Sequence, residues 1–288
     1  MRLHVVHETQ YDYTAPVALS QQLLHLTPRA LPWQVCREHR LEVAPAPGER
    51  GERDDYFGNP TTQFLIAAPH DALLVRAEST LDVAPREQAA LARPGGAWET
   101  VRDAARNEAS EFLYESPNVE TWRDLAEYAA RSFAQGRPAL EAAMDLSSRI
   151  HRDFQFDRTA TSVSTPLREV MKRRRGVCQD FAHLMIGGLR ALGLPARYVS
   201  GYLLTDPPPG RPRLVGADAS HAWVSVYCGT DVGWVDLDPT NDCVVDDEHV
   251  TLAWGRDFSD VTPMRGVILG GGEQELEVRV TVSPVQAP

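Results

Sequence analysis

From Phe181 onward the apolar residues fall at Phe181, Leu184, Met185, Ile186, Gly188, Leu189 and Leu192. This is the i, i+3, i+4, i+7, i+8, i+11 spacing of a helix that buries one face, and it predicts a helix from about Cys178 to Leu192. Gly193 stands where a left-handed C-terminal cap belongs, and Pro195 follows as a stop. Cys178 then falls in the first turn, where unpaired backbone N–H groups and the helix dipole favour a thiolate over a thiol. Lys172, Arg173, Arg174 and Arg175 add positive charge just upstream. They also read as the solvated end of a preceding helix, since cations suit a helix C-terminus. A free cysteine is elsewhere usually a small buried hydrophobe, so chemistry at Cys178 requires partners.

A chain of 288 residues can hold one large domain or two ordinary ones. With 43% hydrophobic and 24% charged residues it reads as soluble and globular. Its first residues lack the apolar core of a signal peptide, and no run of about 18 apolar residues could span a bilayer, so it reads as cytoplasmic. A net charge of -11 and a pI near 5.3 would repel phosphate backbones and anionic lipid, which argues against nucleic acid and membrane as partners. Cys36, Cys178, Cys228 and Cys243 show no CxxC pairing and read as free thiols.

Leu3, Val5, Thr9, Tyr11 and Tyr13 share one parity, as on one side of a strand. Trp33, Val35, Leu41 and Val43 repeat it, and Leu73, Val75, Ala77, Leu81 and Val83 show it most clearly. With turn-rich pieces between them (45–51 and 57–60), these short strands suggest a β-sandwich over residues 1–85. Residues 86–120, broken at Pro94-Gly95-Gly96, read as a linker with partial helix. Residues 121–288 then form the expected core. Trp122, Leu125, Ala129 and Phe133 mark one amphipathic helix; Leu140, Met144 and Ile150 mark a second, after Pro138. Phe154-Gln155-Phe156 is extended. Thr165-Pro166 opens a further helix, with threonine as cap and proline at its first position. Beyond Pro195 strands return at 196–204, 221–227 and 234–237, with a proline-rich loop at 207–210. Leu276, Val278, Val280 and Val282 alternate in a last strand.

A thiol nucleophile needs a base able to pair with it and a third group to orient that base. Ser220-His221-Ala222-Trp223 and Trp234-Val235-Asp236-Leu237-Asp238-Pro239-Thr240-Asn241 stand on two strands joined by a short turn, so a hairpin is expected. If Tyr227 faces Trp234, His221 lies opposite position 240; if the turn tightens to Gly229-Thr230, it lies opposite 238. Asp238 is a diagonal or direct neighbour in these registers, about 5 to 8 Å away, and Asp236 is two residues further. Asp238 is therefore the better orienting carboxylate, although Asp before Pro also opens turns.

These blocks, Gly176-Val177-Cys178-Gln179-Asp180-Phe181-Ala182-His183 with the two around His221 and Asp238, resemble the bacterial transglutaminase-like superfamily from about Phe154 to Gly266. Residues 1–85 are similar to the β-rich domain that precedes the core in that family. The resemblance implies an α+β, papain-like core with the cysteine-bearing helix on an antiparallel sheet. It also implies Cys178 as nucleophile, His221 as general base and Asp238 as orienting acid. The implied chemistry is attack on a carboxamide of a peptide or protein, with a thioester resolved by water or by an amine. Hydrolysis is the preferred outcome. A protein-glutamine gamma-glutamyltransferase is the alternative, and a non-catalytic binding or assembly module on the same scaffold a third reading. The Cys178 backbone N–H would serve as one oxyanion donor. Gln179 is a candidate second donor, and Trp223 and Trp234 are candidates for an acyl pocket. His183 reads as a locally bonded helix residue. Zinc on Cys178, His221 and Cys228 or Cys243 fits no closed template, so no metal or other cofactor is expected. The acidic run Asp242, Asp246, Asp247 and Glu248 reads as solvated surface. The N-terminal domain is a candidate for substrate recruitment or for homo-oligomer contacts.

Overall fold

A computed structural model describes residues 1–86, 95–205 and 220–285; the proline-rich loop expected at 207–210 lies outside them. The first strand, β1 (Arg2–Leu24), is much longer than its alternation from Leu3 to Tyr13 foretells. The register against β5 (His70–Val83) jumps between Asp12 and Val17. Before the jump β1 lies between β5 and β14 (Gln274–Pro284); after it, β1 lies between β4 (Pro60–Ile66) and β13 (Met264–Gly270). β2 (Gln34–Ala44) and β3 (Glu49–Asp54) extend the two ends.

The β-rich N-terminal unit is thus one curved sheet, a half-barrel, where two stacked sheets were expected, because one bent strand serves both halves. It also takes back the last two strands of the chain, so residues 264–284 join the N-terminal sheet although they were assigned to the core. β3 has no signature in the sequence because all of ERGERD is exposed and shows no apolar alternation.

Of the stretch expected as a linker with partial helix, residues 87–94 lie outside the described ones, and residues 95–120 are packed structure. They form α1 (Trp98–Glu108) and a 3-10 turn at Ser110–Phe112, which bury Val101, Ala105 and Phe112. α2 (Arg123–Ala130) and α3 (Ala139–Asp153) follow where the apolar spacing places them. β6 (Gln155–Phe156) pairs in parallel with β7 (Arg175–Gly176). α4 (Leu167–Arg173) lies between them, and its N-cap is Pro166, not Thr165. The Thr165 hydroxyl instead accepts the backbone N–H of Ser162 at 2.9 Å, closing the turn that precedes the helix.

α5 (Cys178–Ala191) is the predicted central helix. Its C-terminus closes as expected on Gly193, φ +79°, with Leu194 N–H donating to Leu189 O at 3.0 Å and Gly193 N–H to Arg190 O at 2.9 Å. The periodicity foretold one buried face, yet every residue from Asp180 to Arg190 is buried. Other helices cover one side and the core sheet covers the other. Gly187 allows the approach of α2: a Cβ there would meet Leu125 Cδ2 at 2.8 Å. The buried Arg190 guanidinium donates to the carbonyls of Phe112, Tyr114, Ala196 and Arg256, tying the helix end to three other segments.

The core sheet is antiparallel and runs β11 (Cys243–Val244), β10 (Trp234–Asp238), β9 (Ser220–Tyr227), β8 (Ala196–Leu203), β12 (His249–Gly255). The free edge of β12 is covered by side-chain amides from the half-barrel. Gln34 exchanges two hydrogen bonds with Thr251, both 2.8 Å, and Asn59 exchanges two with Trp254, at 2.8 and 2.9 Å. Each amide does what a neighbouring strand would do, satisfying an edge that would otherwise be unpaired. Arg29 lies 3.5 Å over the Trp254 ring, and His7 bonds Tyr202 at 2.8 Å. The N-terminal unit therefore braces the strand at the end of the core sheet.

Candidate active site

Cys178 is the first residue of α5 and is half-buried. Two residues on, the buried Asp180 carboxylate reaches back to accept the Val177 N–H at 2.8 Å and the Thr161 hydroxyl at 2.6 Å. Burial pushes the Asp180 pKa up against the pull of these donors. The turn is tight enough to need glycine at 176, where a Cβ would sit 2.6 Å from Asp180 Oδ2. The cations expected to bias Cys178 are mostly engaged elsewhere. Arg173 pairs with Glu169, Arg174 lies 4.6 Å over the Phe154 ring, and Arg175 is 3.9 Å from Asp157. The cause is that α4 ends at Arg173 and the chain reverses at Arg174, φ +56°.

β9 and β10 pair with Tyr227 facing Trp234, the wider-turn register of the two expected. Continued, that register sets Asp238 opposite Trp223, two residues from His221 and so its diagonal neighbour, and His221 Nε2 donates to Asp238 Oδ2 at 2.6 Å. Asp238 is fully buried. Its Oδ1 accepts the backbone N–H groups of Thr240 (2.8 Å) and Asn241 (3.2 Å), so it opens the expected turn and orients the histidine at once. Asn241 Nδ2 donates to Oδ2 at 2.7 Å. A further histidine, His249 on β12, places Nε2 3.4 Å from the same oxygen. With its Nε2 taken by Asp238, the His221 ring has Nδ1 left for the Cys178 thiol.

The electrostatics follow. Burial opposes charge on His221, but hydrogen bonds and charge from Asp238 and Cys178 outweigh it and raise the imidazole to about 10. Burial likewise opposes charge on Asp238, and its donors, His221 first, overcome that and hold the carboxyl well below the usual range. Such a group of atoms can carry a negative sulfur beside a positive imidazole, which is what nucleophilic attack on a carbonyl needs.

A groove of about 700 Å³ opens on Cys178 and His221. Gln179 lines it, with Tyr198, Ser200, Asn241 and Phe258 among the other walls. Trp223 and Trp234 do not. Trp223 is fully buried behind His221, its N–H directed to Asp236 at 3.2 Å and its ring over Gly201. Trp234 stacks with Arg197, Phe112 and Tyr227. Both share the sheet face that carries His221 and Asp238, and neighbouring side chains, not the pleat, keep them out of the groove: Trp223 packs with Val199 and Val245, and Trp234 lies under Arg197. Asp236 pairs with Arg86 at 2.8 Å and takes no part beside His221.

His183 is buried with its pKa lowered to about 4 by desolvation, and its Nε2 accepts the Phe258 N–H at 3.2 Å. Cys228 lies seven residues along from His221, about 20 Å away in an extended strand, so the zinc set containing it is not assembled. Among the described residues the group His221, Asp238 and His249 has ligand atoms within 4.8 Å of one another, and these atoms are used in hydrogen bonds among themselves. In the acidic run, Asp246 accepts the Arg86 N–H at 2.9 Å and Asp242 the Ser148 hydroxyl at 2.6 Å, so these two are anchored, not merely solvated. No described helix is long and apolar enough to cross a membrane.

His249 and Asn241 join the site without a motif in the sequence that marks either. Asn241 was within reach, three residues after Asp238 in the same turn. His249 was not, since its strand meets the site only through β8.

Residues 3–82 match the family model of the bacterial transglutaminase-like N-terminal region, and residues 126–239 match that of the transglutaminase-like superfamily. Uncharacterized proteins of Mycobacterium tuberculosis and Mycobacterium bovis are 42% identical over 99% of this chain and 93% of their own length. A protein-glutamine gamma-glutamyltransferase of Pseudomonas aeruginosa is 43% identical over 68 residues, 23% of this chain and 10% of that protein. A candidate cysteine protease of Cytophaga hutchinsonii shares the fold across 100% of this chain and 92% of its own, with a TM-score of 0.75 at 19% identity.

Proposed function

The chain belongs to the transglutaminase-like superfamily, and on that premise we propose that it is a cysteine hydrolase of peptide, isopeptide or side-chain amides. The observation that carries this reading is the continuous line from groove to core: Cys178 at a helix start, His221 beside it, and Asp238 buried behind at 2.6 Å. The Cys178 sulfur attacks the amide carbonyl and forms a C–S bond while the C–N bond breaks. His221 gives its proton to the departing ammonia or amine. A water then loses a proton to His221 and attacks the thioester, releasing the acid and restoring the thiol. Asp238 holds the ring's orientation and stabilises its cationic form throughout.

Transfer to an amine is the second reading, supported by the local similarity to the Pseudomonas aeruginosa glutamyltransferase. One feature of the groove disfavours a lysine acceptor. Among the described residues lining it, the permanently charged side chain is Arg158, a cation that repels an approaching ammonium. Incubation of glutamine-containing peptides with and without a primary amine, followed by mass analysis, separates the outcomes. Hydrolysis adds about 1 Da as amide becomes acid; a mass gain matching the amine would establish transfer. A scaffold without catalysis would give neither, and its Cys178 would alkylate at the same rate in wild type and His221→Ala.

A further inference from the structure

The reaction proposed above leaves a negative oxygen on the tetrahedral intermediate, and the Cys178 backbone N–H at the first helical position is one free donor for it. Tyr198 stands in the wall of the same groove, on β8. It is only 2% exposed, and its hydroxyl has no hydrogen-bond partner among the described residues. The hydroxyl is not among the sealed polar atoms that lack a partner, so the small exposed part of Tyr198 leaves it open to the groove, where a substrate oxygen can accept from it. The ring is held firmly. It packs against His183 with centroids 5.0 Å apart and edge-to-face against Phe258 at 6.2 Å. The His183 ring is itself pinned by the Phe258 N–H. Burial first, and then charge on Cys178, raise the Tyr198 pKa, as fits two groups that line one groove.

We propose that the Tyr198 hydroxyl is the second oxyanion donor, facing the Cys178 N–H across the carbonyl oxygen of the bound acyl group. This rests on the acyl-transfer reading and adds a catalytic residue to it. The phenol lends a hydrogen bond and keeps its proton: as the C–S bond forms, the carbonyl π electrons move onto oxygen between the two donors, and they return as the leaving group departs.

The test compares two reactions of the same sulfur in Tyr198→Phe. p-Nitrophenyl acetate acylates Cys178 through an oxyanion, with p-nitrophenolate leaving; iodoacetamide alkylates it by displacing iodide, with no oxyanion. The expected result is a p-nitrophenolate burst slowed about 100-fold in the variant, with the alkylation rate unchanged within about twofold. A variant burst within about threefold of wild type would overturn the proposal alone. So would equal slowing of burst and alkylation, since Tyr198 would then act on the sulfur or on the fold. A wild-type chain that shows no burst overturns the acyl-transfer reading itself and this inference with it.

Discussion

His249 Nε2 lies 3.4 Å from Asp238 Oδ2, the oxygen that also receives the His221 ring. The two histidines come from strands that do not touch, β12 and β9, and the carboxylate links them. His249 is buried, stacks edge-on against Trp223 at 5.3 Å and leaves its Nδ1 without a partner. It donates to the carboxylate from behind and fixes which way Oδ2 faces.

Removing that donor should lower turnover without touching substrate affinity. His249→Leu is expected to reduce kcat about tenfold at unchanged KM, the scale of one hydrogen bond to a charged group. His249→Gln, which can keep an N–H near the position of Nε2, should recover most of the loss. Steady-state kinetics on the best peptide substrate checks this; equal kcat in all three proteins would contradict it.

The raised His221 pKa carries a sign for stability. A histidine whose folded pKa exceeds its unfolded value stabilises the fold fully below about 6.5 and loses that contribution as pH rises through about 10. Asp238→Asn removes the carboxylate that raises it, so the imidazole titration should fall toward the ordinary range. Ring-proton NMR titration reads the shift. Urea midpoints at pH 6 and pH 10.5 should lie closer together in the variant than in wild type.

Thiol labelling should single out one cysteine. Cys228 is buried and burial lifts its pKa to about 12, so it is mute toward iodoacetamide at pH 6. Cys243 is also raised, by desolvation of its thiol first and then by Asp238, Asp242 and Glu248. Peptide mapping after brief alkylation at pH 6 should find Cys178 alone modified, with the rate at least about tenfold lower in His221→Ala. Modification spread evenly over the cysteines would contradict the pairing of Cys178 with His221.

Gly201 faces His221 across the β8–β9 ladder and has no room for a side chain. A Cβ there would meet Val250 O at 2.1 Å and Trp223 Cη2 at 2.5 Å. Gly201→Ala should displace the Trp223 ring that lies behind His221, costing about 1 to 3 kcal/mol of stability and most of the activity. Thermal unfolding with a parallel activity assay tests both; a variant as stable and as active as wild type would show that the sheet yields freely there.

Local spacing within the sequence determined the cysteine-led helix and its glycine cap, the strand pair bearing His221 and Asp238, and the preference for Asp238 over Asp236. Each of these depends on contacts a few residues apart or on one hairpin, where periodicity and turn length leave only two registers. The tertiary structure alone decided which register holds, that α5 is buried all round, and that Trp223 and Trp234 belong to the core. It alone also brought His249 to Asp238, Tyr198 to the groove and the last two strands to the N-terminal sheet. Those relations join residues far apart in the chain, and packing sets them: one sequence pattern suits several partners until the whole sheet is assembled and each buried face and polar group has found the neighbour that satisfies it.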